Sequence, residues 1–354
     1  MFEDLNRRFI KLQFSGKARL RTYRKISRLL TNSVPLARAL ETMYAHASHD
    51  GRKPKATEAV VISAWLRQVR NGKPLGVAIQ GWVPEMDRLV IEAGEPSGDL
   101  PGAIENACFL YEGQKQIKGA LYSSLAYPVV LFMMVIGFLF LFGINVIPKF
   151  ETVLPRENWE GMGAQMAMLS DFVQSWFALV LGALVGLGIL VAWSLPRWTG
   201  PLRVKFDRYP PYGIYKVMAG SGFLLGLAAL TKAGVKTTVA LRALMRDSKP
   251  WYHERISKTL GHVNNGLNIG EALYKTNLAF PDPETVNDLR TYATLDKFDE
   301  MLMRLGRENM EDSVARIKQQ GQILKNAGIV LVGVTLAWLF LGIFSIQQQI
   351  SASL

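Results

Sequence analysis

The chain has one cysteine, Cys108, among 354 residues. A single thiol cannot close an intramolecular disulfide, so no oxidised framework holds the fold together. Only four histidines accompany it, which leaves little for a transition-metal centre. His46 and His49 in HASH have no thiol near them in sequence and read as exposed polar residues rather than a zinc site. The opening stretch MFEDLNRRFIKLQFSGKARLRTYRK lacks the continuous apolar core of a signal peptide, so cleavage or export of the whole chain is not expected. No stretch alternates apolar and polar residues between hairpin turns, which argues against a sheet. Nor is there a phosphate-binding loop. GSGFLLG (220–226) reads as small-residue helix packing, and AGVKT (233–237) lacks the G-x-x-x-x-G-K spacing. No nucleophile–base set is suggested by any motif.

Charge is missing where its absence says most. The runs LAYPVVLFMMVIGFLFLFGINVIP (125–148), WFALVLGALVGLGILVAWSLP (176–196) and AGIVLVGVTLAWLFLGIFSI (327–346) contain no charged residue, and Asn145 is their one strongly polar side chain. About 20 apolar residues cross a bilayer core, so each run is long enough to be a transmembrane helix. Intramembrane ionisable groups normally line an ion pathway, and their lack argues against a transporter. Gly182 and Gly186 in the second run permit close helix approach. Tyr127, Trp176 and Trp193 fit interfacial anchoring.

Elsewhere charge is abundant. Hydrophobic residues make up 49% of the chain, yet its net charge is +12. Membrane proteins with basic cytoplasmic faces combine the two routinely. Residues 1–124 carry 19 Lys/Arg against 12 Asp/Glu, net +7; residues 149–175 are net −2; residues 197–326 carry 20 against 13, again +7. Lys115, Lys118, Arg197, Arg203, Lys205, Lys318 and Lys325 lie nearest the span ends on the basic sides. The positive-inside rule then predicts a cytoplasmic N-terminus and a periplasmic C-terminus. The expected order is a cytoplasmic helical domain (1–124), a first span (125–148), a short periplasmic loop (149–175), a second span (176–196), a second cytoplasmic helical domain (197–326), a third span (327–346) and a periplasmic tail (347–354). Topology accounts for the basic charge, and no basic-aromatic strand platform is present, so nucleic acid is not an expected partner.

The two large basic segments resemble each other. VPLARAL (34–40) lies over VKTTVAL (235–241), and VRNGKPLGVAI (69–79) over VNNGLNIGEAL (263–273) without a gap. WVPEM and AFPDP follow in the same order. Three matches in register predict a duplication. Leu20, Tyr23, Ile26, Leu29 and Leu30 form one apolar stripe, Pro35 opens a second helix after Asn32 and Ser33, and NGKPLGVAI is a break followed by a short helix. The fold class is therefore all-α: an integral membrane protein with three transmembrane helices and two duplicated cytoplasmic six-helix-bundle domains.

One stretch, IEAGEPSGDL (91–100), packs three acids and three turn-formers into ten residues. As a connector, Asp99 would cap the next helix, with Pro101 in its first turn and Leu100, Ile104, Ala107, Cys108 and Tyr111 on one face. Alternatively Glu92, Glu95 and Asp99 could hold Ca²⁺ or Mg²⁺ through oxygen ligands. The polar edge of Arg88, Glu92, Gly94, Glu95 and Gly98 is a candidate partner interface, or simply a solvated face. The basic segment 7–25, with Phe9, Ile10, Leu12 and Phe14, could contact anionic lipid.

AGEPSGDL also resembles the AGE-x-SG-x-L signature of the inner-membrane platform proteins of type II secretion systems and type IV pili, the GspF/PilC family. LLTNSVPL is similar to that family's LL-x-x-G-v-p-L element, with Ser33 replacing the usual glycine and Gly234 keeping it in LTKAGVK. NGKPL resembles its G-x-s-L turn, AYP with Tyr127 and Pro128 its first-span entry, VIPKF with Pro148 its span exit, and YPPYG (209–213) its elbow into the second domain. The second copy has TYATLDKFDEML where another GE-x-SG is expected. That departure and a brief N-terminal segment point to a type IVb or conjugative thin-pilus relative. The resemblance implies a non-enzymatic, homo-oligomeric platform without a cofactor. Its partners would be a cytoplasmic assembly ATPase, pilin or pseudopilin subunits, other inner-membrane assembly components and membrane lipids. The rival expectation is a polytopic membrane enzyme or transporter whose catalytic groups carry no recognised motif.

Overall fold

The computed structural model describes residues 10, 13–96, 98–246, 248–295 and 297–353, and these are helical with no strand among them. In chain order the helices are α1 (Gly16–Thr31), α2 (Leu36–Ala47), α3 (Thr57–Arg70), α4 (Leu75–Ala78), α5 (Glu85–Gly94), α6 (Leu100–Leu141), α7 (Ile147–Glu151), α8 (Met162–Ser175) and α9 (Phe177–Ser194). They continue as α10 (Pro201–Phe206), α11 (Tyr212–Lys232), α12 (Thr237–Met245), α13 (Pro250–Asn264), α14 (Ile269–Lys275), α15 (Pro283–Tyr292) and α16 (Phe298–Ser353). Contacts divide them into two compact units. One holds the described residues up to Lys118 together with Arg197–Ser313; the other holds Gly119–Pro196 and the residues from Val314 on.

In the first unit, α1 to α5 and α11 to α15 repeat one succession of helices and turns. α1 ends with Ser33 at φ +60°, the Val34 amide donating to Leu29 O at 3.0 Å. α11 ends with Gly234 at φ +85°, the Val235 amide donating to Leu230 O at 2.9 Å. Both are left-handed helix terminators, which glycine adopts without the Cβ penalty that Ser33 bears. α3 and α13 stop in the same way at Gly72 and Gly266, both with positive φ.

The core of this unit draws on both stretches. Tyr23, Ile26, Trp65, Ile79, Val90 and Ile104 from the first share one buried cluster with Phe223, Leu227, Trp251, Phe280 and Leu289 from the second. α11 is central to it. A Cβ at Gly226 would touch Leu244 and, from the first stretch, Met86. Gly220 lies against Pro281, and the Ser221 hydroxyl is within hydrogen-bond distance of Asn309 Oδ1 and Ser313 Oγ, so GSGFLLG is indeed a packing surface. Phe14 is only 3% exposed and meets Trp65 edge-on at 5.9 Å. That corrects its assignment to lipid: the ring belongs to the protein core. Ile10 packs against the same cluster, while Phe9 and Leu12 lie outside the described residues.

Arg203 was counted among the basic residues flanking the second apolar run, yet it is buried. It pairs with Asp207, which also accepts from Arg255 Nη2 at 2.6 Å. The Arg255 guanidinium lies 3.7 Å from the centre of the Trp251 ring. Burial lowers the pKa of Arg255 to about 10, against the opposing pull of Asp207.

In the second unit α6 runs unbroken through Pro128 and passes into a π-helical turn at Phe142–Val146 containing Asn145; Pro148 sits in the first turn of α7. Residues 149–175 contain more than a loop: α8 packs with Met166, Leu169 and Val173 into a cluster with Ile147, Leu339 and Ile346. The Ser170 hydroxyl donates to Gly143 O at 2.9 Å. α9 by contrast buries none of its residues. Tyr127, Trp176 and Trp193 are exposed, with the Lys325 ammonium 5.1 Å from the Tyr127 ring centre.

Among the described residues four helical segments are long and apolar enough to cross a membrane: Leu100–Glu151, Phe177–Ser194, Tyr212–Lys232 and Phe298–Ala352. The fourth candidate beyond the three apolar runs is α11, more than half of whose apolar window is buried inside the first unit. Ser33→Gly should raise stability by up to about 1 kcal/mol by relieving the left-handed strain. Unfolding of the detergent-solubilised chain would measure it, and no gain would show the Ser33 conformation to be unstrained.

Candidate functional site: the acidic turn

The acidic stretch begins in α5 and ends at the first turn of α6. Its carboxylates have separate tasks. Glu95 follows α5 and reaches back to α4, where the Leu75 and Gly76 amides donate to its two oxygens at 2.8 and 3.1 Å. These are first-turn amides that a short helix leaves without partners. Pro74, the residue in the N-cap position of α4, makes no side-chain cap. Glu95 therefore supplies from a distance the anion that Pro74 cannot, placed at the positive end of the helix.

Asp99 Oδ1 accepts from the Gly102 amide at 2.9 Å, the expected helix cap, and Ile104 and Ala107 of the expected apolar face are fully buried. Gly98 has φ +76°, which its lack of a side chain permits. Gly94 lies so close to Ala103 that a Cβ would overlap it, and a Cβ at Gly76 would stand 2.6 Å from Glu92 Cα. The glycines of AGEPSG and of KPLG thus bring α4, α5 and α6 together. Ser97 lies outside the described residues.

Glu92 faces elsewhere and pairs with Arg88. Arg88 also donates from Nε and Nη2 to the two oxygens of Glu85 at 3.0 and 2.8 Å. Arg246 from the second stretch donates to the same Glu85 at 3.1 Å. The hydrogen bonds from Arg88 hold Glu85 below the usual carboxylate value, and Glu85 in turn raises Arg88. The Arg88 side chain is only 11% exposed. Among the described residues no group of three or more His, Cys, Asp or Glu is arranged to hold a metal ion.

The second stretch explains its own missing motif. At the position equivalent to Pro74 it has Asn268, with φ −66° and ψ 163° against −60° and 155° for Pro74. Asn268 Oδ1 accepts from the Glu271 amide at 2.8 Å. α14 is capped locally and needs no acid from the following turn. Gly270, equivalent to Gly76, is likewise pressed against the backbone of Leu289 and Arg290. The close approach is kept while the cap changes. The sequence signal for this exchange is the pairing of a proline at the helix start with a distant GE, and of an asparagine there with none.

With this geometry in view, the comparisons with known proteins are consistent in kind. The family model described as type II secretion system (T2SS), protein F matches the chain twice, over residues 22–148 and 223–346. Toxin coregulated pilus biosynthesis protein E of Vibrio cholerae is 25% identical over 345 residues, covering 96% of this chain and 99% of that protein. Type II secretion system protein F of the same species is 24% identical over 269 residues, 73% of this chain, and the match covers 64% of that protein. Type IV pilus assembly protein PilC of Pseudomonas aeruginosa is 22% identical over 306 residues, covering 80% of this chain and 79% of the relative.

Glu95→Ala should cost about 1–2 kcal/mol by stranding two amides. Adding Pro74→Asn should recover much of the loss, because Asn268 already caps from that conformation. Unfolding midpoints of the wild type, the single variants and the double variant would test this. An unrescued loss would mean that Glu95 acts other than as a cap.

Proposed function

Because the chain belongs to the type II secretion system protein F family, we propose that it is a non-enzymatic inner-membrane platform for assembly of a type IV pilus-like filament. The observation that carries this reading is the double family match, which takes in each helical stretch and the apolar segment after it. End-to-end similarity to a pilus biosynthesis protein, against partial coverage of a secretion protein, favours the pilus side.

In this reading the chain crosses the membrane three times, at 125–148, 176–196 and 327–346. Residues 1–124 and 197–326 are duplicated cytoplasmic domains, the N-terminus is cytoplasmic and the C-terminus periplasmic. α11 stays in the protein core. A buried apolar helix has no need of lipid, and leaving the core would expose Phe223, Leu224, Leu227 and Leu230. The platform couples a cytoplasmic hexameric ATPase to insertion of membrane-embedded pilin subunits, and works as a homo-oligomer with other inner-membrane components. Without a nucleotide site of its own it transmits motor work through contacts alone. Two surfaces suit such contacts: the exposed tip of the acidic turn around Pro96 and Gly98, and α9, whose uncovered apolar side chains suit a partner helix. The reading assigns no cofactor. Glu95 and Asp99 are occupied as caps and Glu92 by Arg88, so their interface role is confined to the turn they shape.

Photo-crosslinkers at Pro96 and at Leu187 in α9 test this in cells. Capture of an assembly ATPase at Pro96 and of a pilin-like subunit at Leu187 is the expected result. A soluble substrate or nucleic acid at both, with neither partner present, would overturn it.

A further inference from the structure

The first unit contains a cavity of about 590 Å³ among α5, α6, α11, α12 and α13, within the volume range of small-molecule sites. Leu110, Ile117, Met218 and Leu244 supply apolar wall. Lys118, Arg246 and Lys249 contribute three cations against one acid, Glu85. Arg246 shares Glu85 with Arg88, and neither lysine is in an ion pair among the described residues. The Ser248 hydroxyl in the same wall is buried and makes no hydrogen bond.

We propose that this cavity binds an anionic membrane phospholipid, its acyl chain in the apolar pocket and its phosphate at Lys118, Lys249 and Arg246. Three observations favour lipid over an acidic protein segment. The charge excess at the cavity is positive while its walls are apolar, which matches an anionic amphiphile. A peptide would bring backbone amides and carbonyls that must be paired on burial. Among the described residues Ser248 Oγ is the one buried, unpaired side-chain atom lining the cavity, whereas an acyl chain requires no such partners. Finally, Lys118 precedes Leu125, where the uncharged run of α6 begins, by seven residues, roughly 10 Å of helix. A lysine at that distance from an apolar span is within reach of the headgroup layer. The orphan Ser248 hydroxyl suits a phosphate or ester oxygen.

The inference rests on the reading of α6 as a membrane span. The experiment uses the full chain in liposomes of phosphatidylcholine and phosphatidylglycerol, with a photoreactive group on the acyl chain of a trace of either lipid. Cross-linked peptides are mapped by mass spectrometry. The phosphatidylglycerol probe should label peptides containing Leu110, Met218 and Leu244 as well as the apolar runs, and the phosphatidylcholine probe should label the runs alone. Lys118→Ala with Lys249→Ala should lower labelling at the cavity by roughly 25-fold and leave the runs labelled. Gly222→Leu should lower it as well. A Cβ at Gly222 meets open space, so the added side chain takes up part of the cavity without a clash, and thermal unfolding checks that the fold survives. Labelled runs with an unlabelled cavity, or equal cavity labelling by both lipids, would overturn the site while leaving the membrane reading intact. Absence of labelling in the apolar runs would overturn both.

Discussion

An apolar helix of 21 residues has to be removed from water, and α11 is removed by protein. Its residues Phe223 to Leu230 are buried on every side, by the rest of its own stretch and by Met86 of the first. Much of the first unit depends on this. The shared core forms around α11, the Glu85–Arg246 pair ties the stretches together beside it, and the cavity of about 590 Å³ is walled partly by its Met218 and Gly222. Topology depends on it too. If α11 resides in the core, three of the four candidate segments among the described residues are left to cross a bilayer; if it crosses too, all four do and the second helical stretch is split between two compartments.

The acidic turn shows how one backbone requirement can be met in two ways. Both α4 and α14 are short helices whose first amides need an acceptor, and both are gripped by a neighbouring backbone at a glycine. With Pro74 at the start, the acceptor comes from Glu95, across the gap between α5 and α6; with Asn268, it is local. The concentration of acids in IEAGEPSGDL therefore has a structural cause that does not involve a ligand. Its exposed tip remains available to a partner because the carboxylates behind it hold the loop in shape.

Much of this was legible in the amino-acid order, because turns and caps are local. Asp99 capping α6, the break and short helix at NGKPLGVAI, and the apolar stripe through Leu20, Tyr23 and Ile26 all follow from residue type at short spacing. Less legible were features set by tertiary contact. Glu95 reads as a surface acid until α4 is brought 20 residues back to meet it. Arg203 reads as a basic residue flanking an apolar run, yet it is buried with Arg255 around Asp207 and an aromatic face. Phe14 looked available to lipid because nothing near it in sequence indicates Trp65. Residues 149–175 looked like a simple loop because the partners of α8, Leu339 and Ile346, are more than 150 residues away.

The burial of α11 is tested most directly by cysteine accessibility in intact cells. Single cysteines at Lys236, just after α11, and at Ser351, near the C-terminus, are exposed positions for a membrane-impermeant maleimide. The native Cys108 is buried and its thiol is pushed up to about 12, so it stays silent. With α11 in the core, Ser351→Cys is labelled from the periplasm and Lys236→Cys only after lysis. The reverse pattern, Lys236→Cys labelled in intact cells and Ser351→Cys protected, would show that α11 crosses the membrane and would contradict the account.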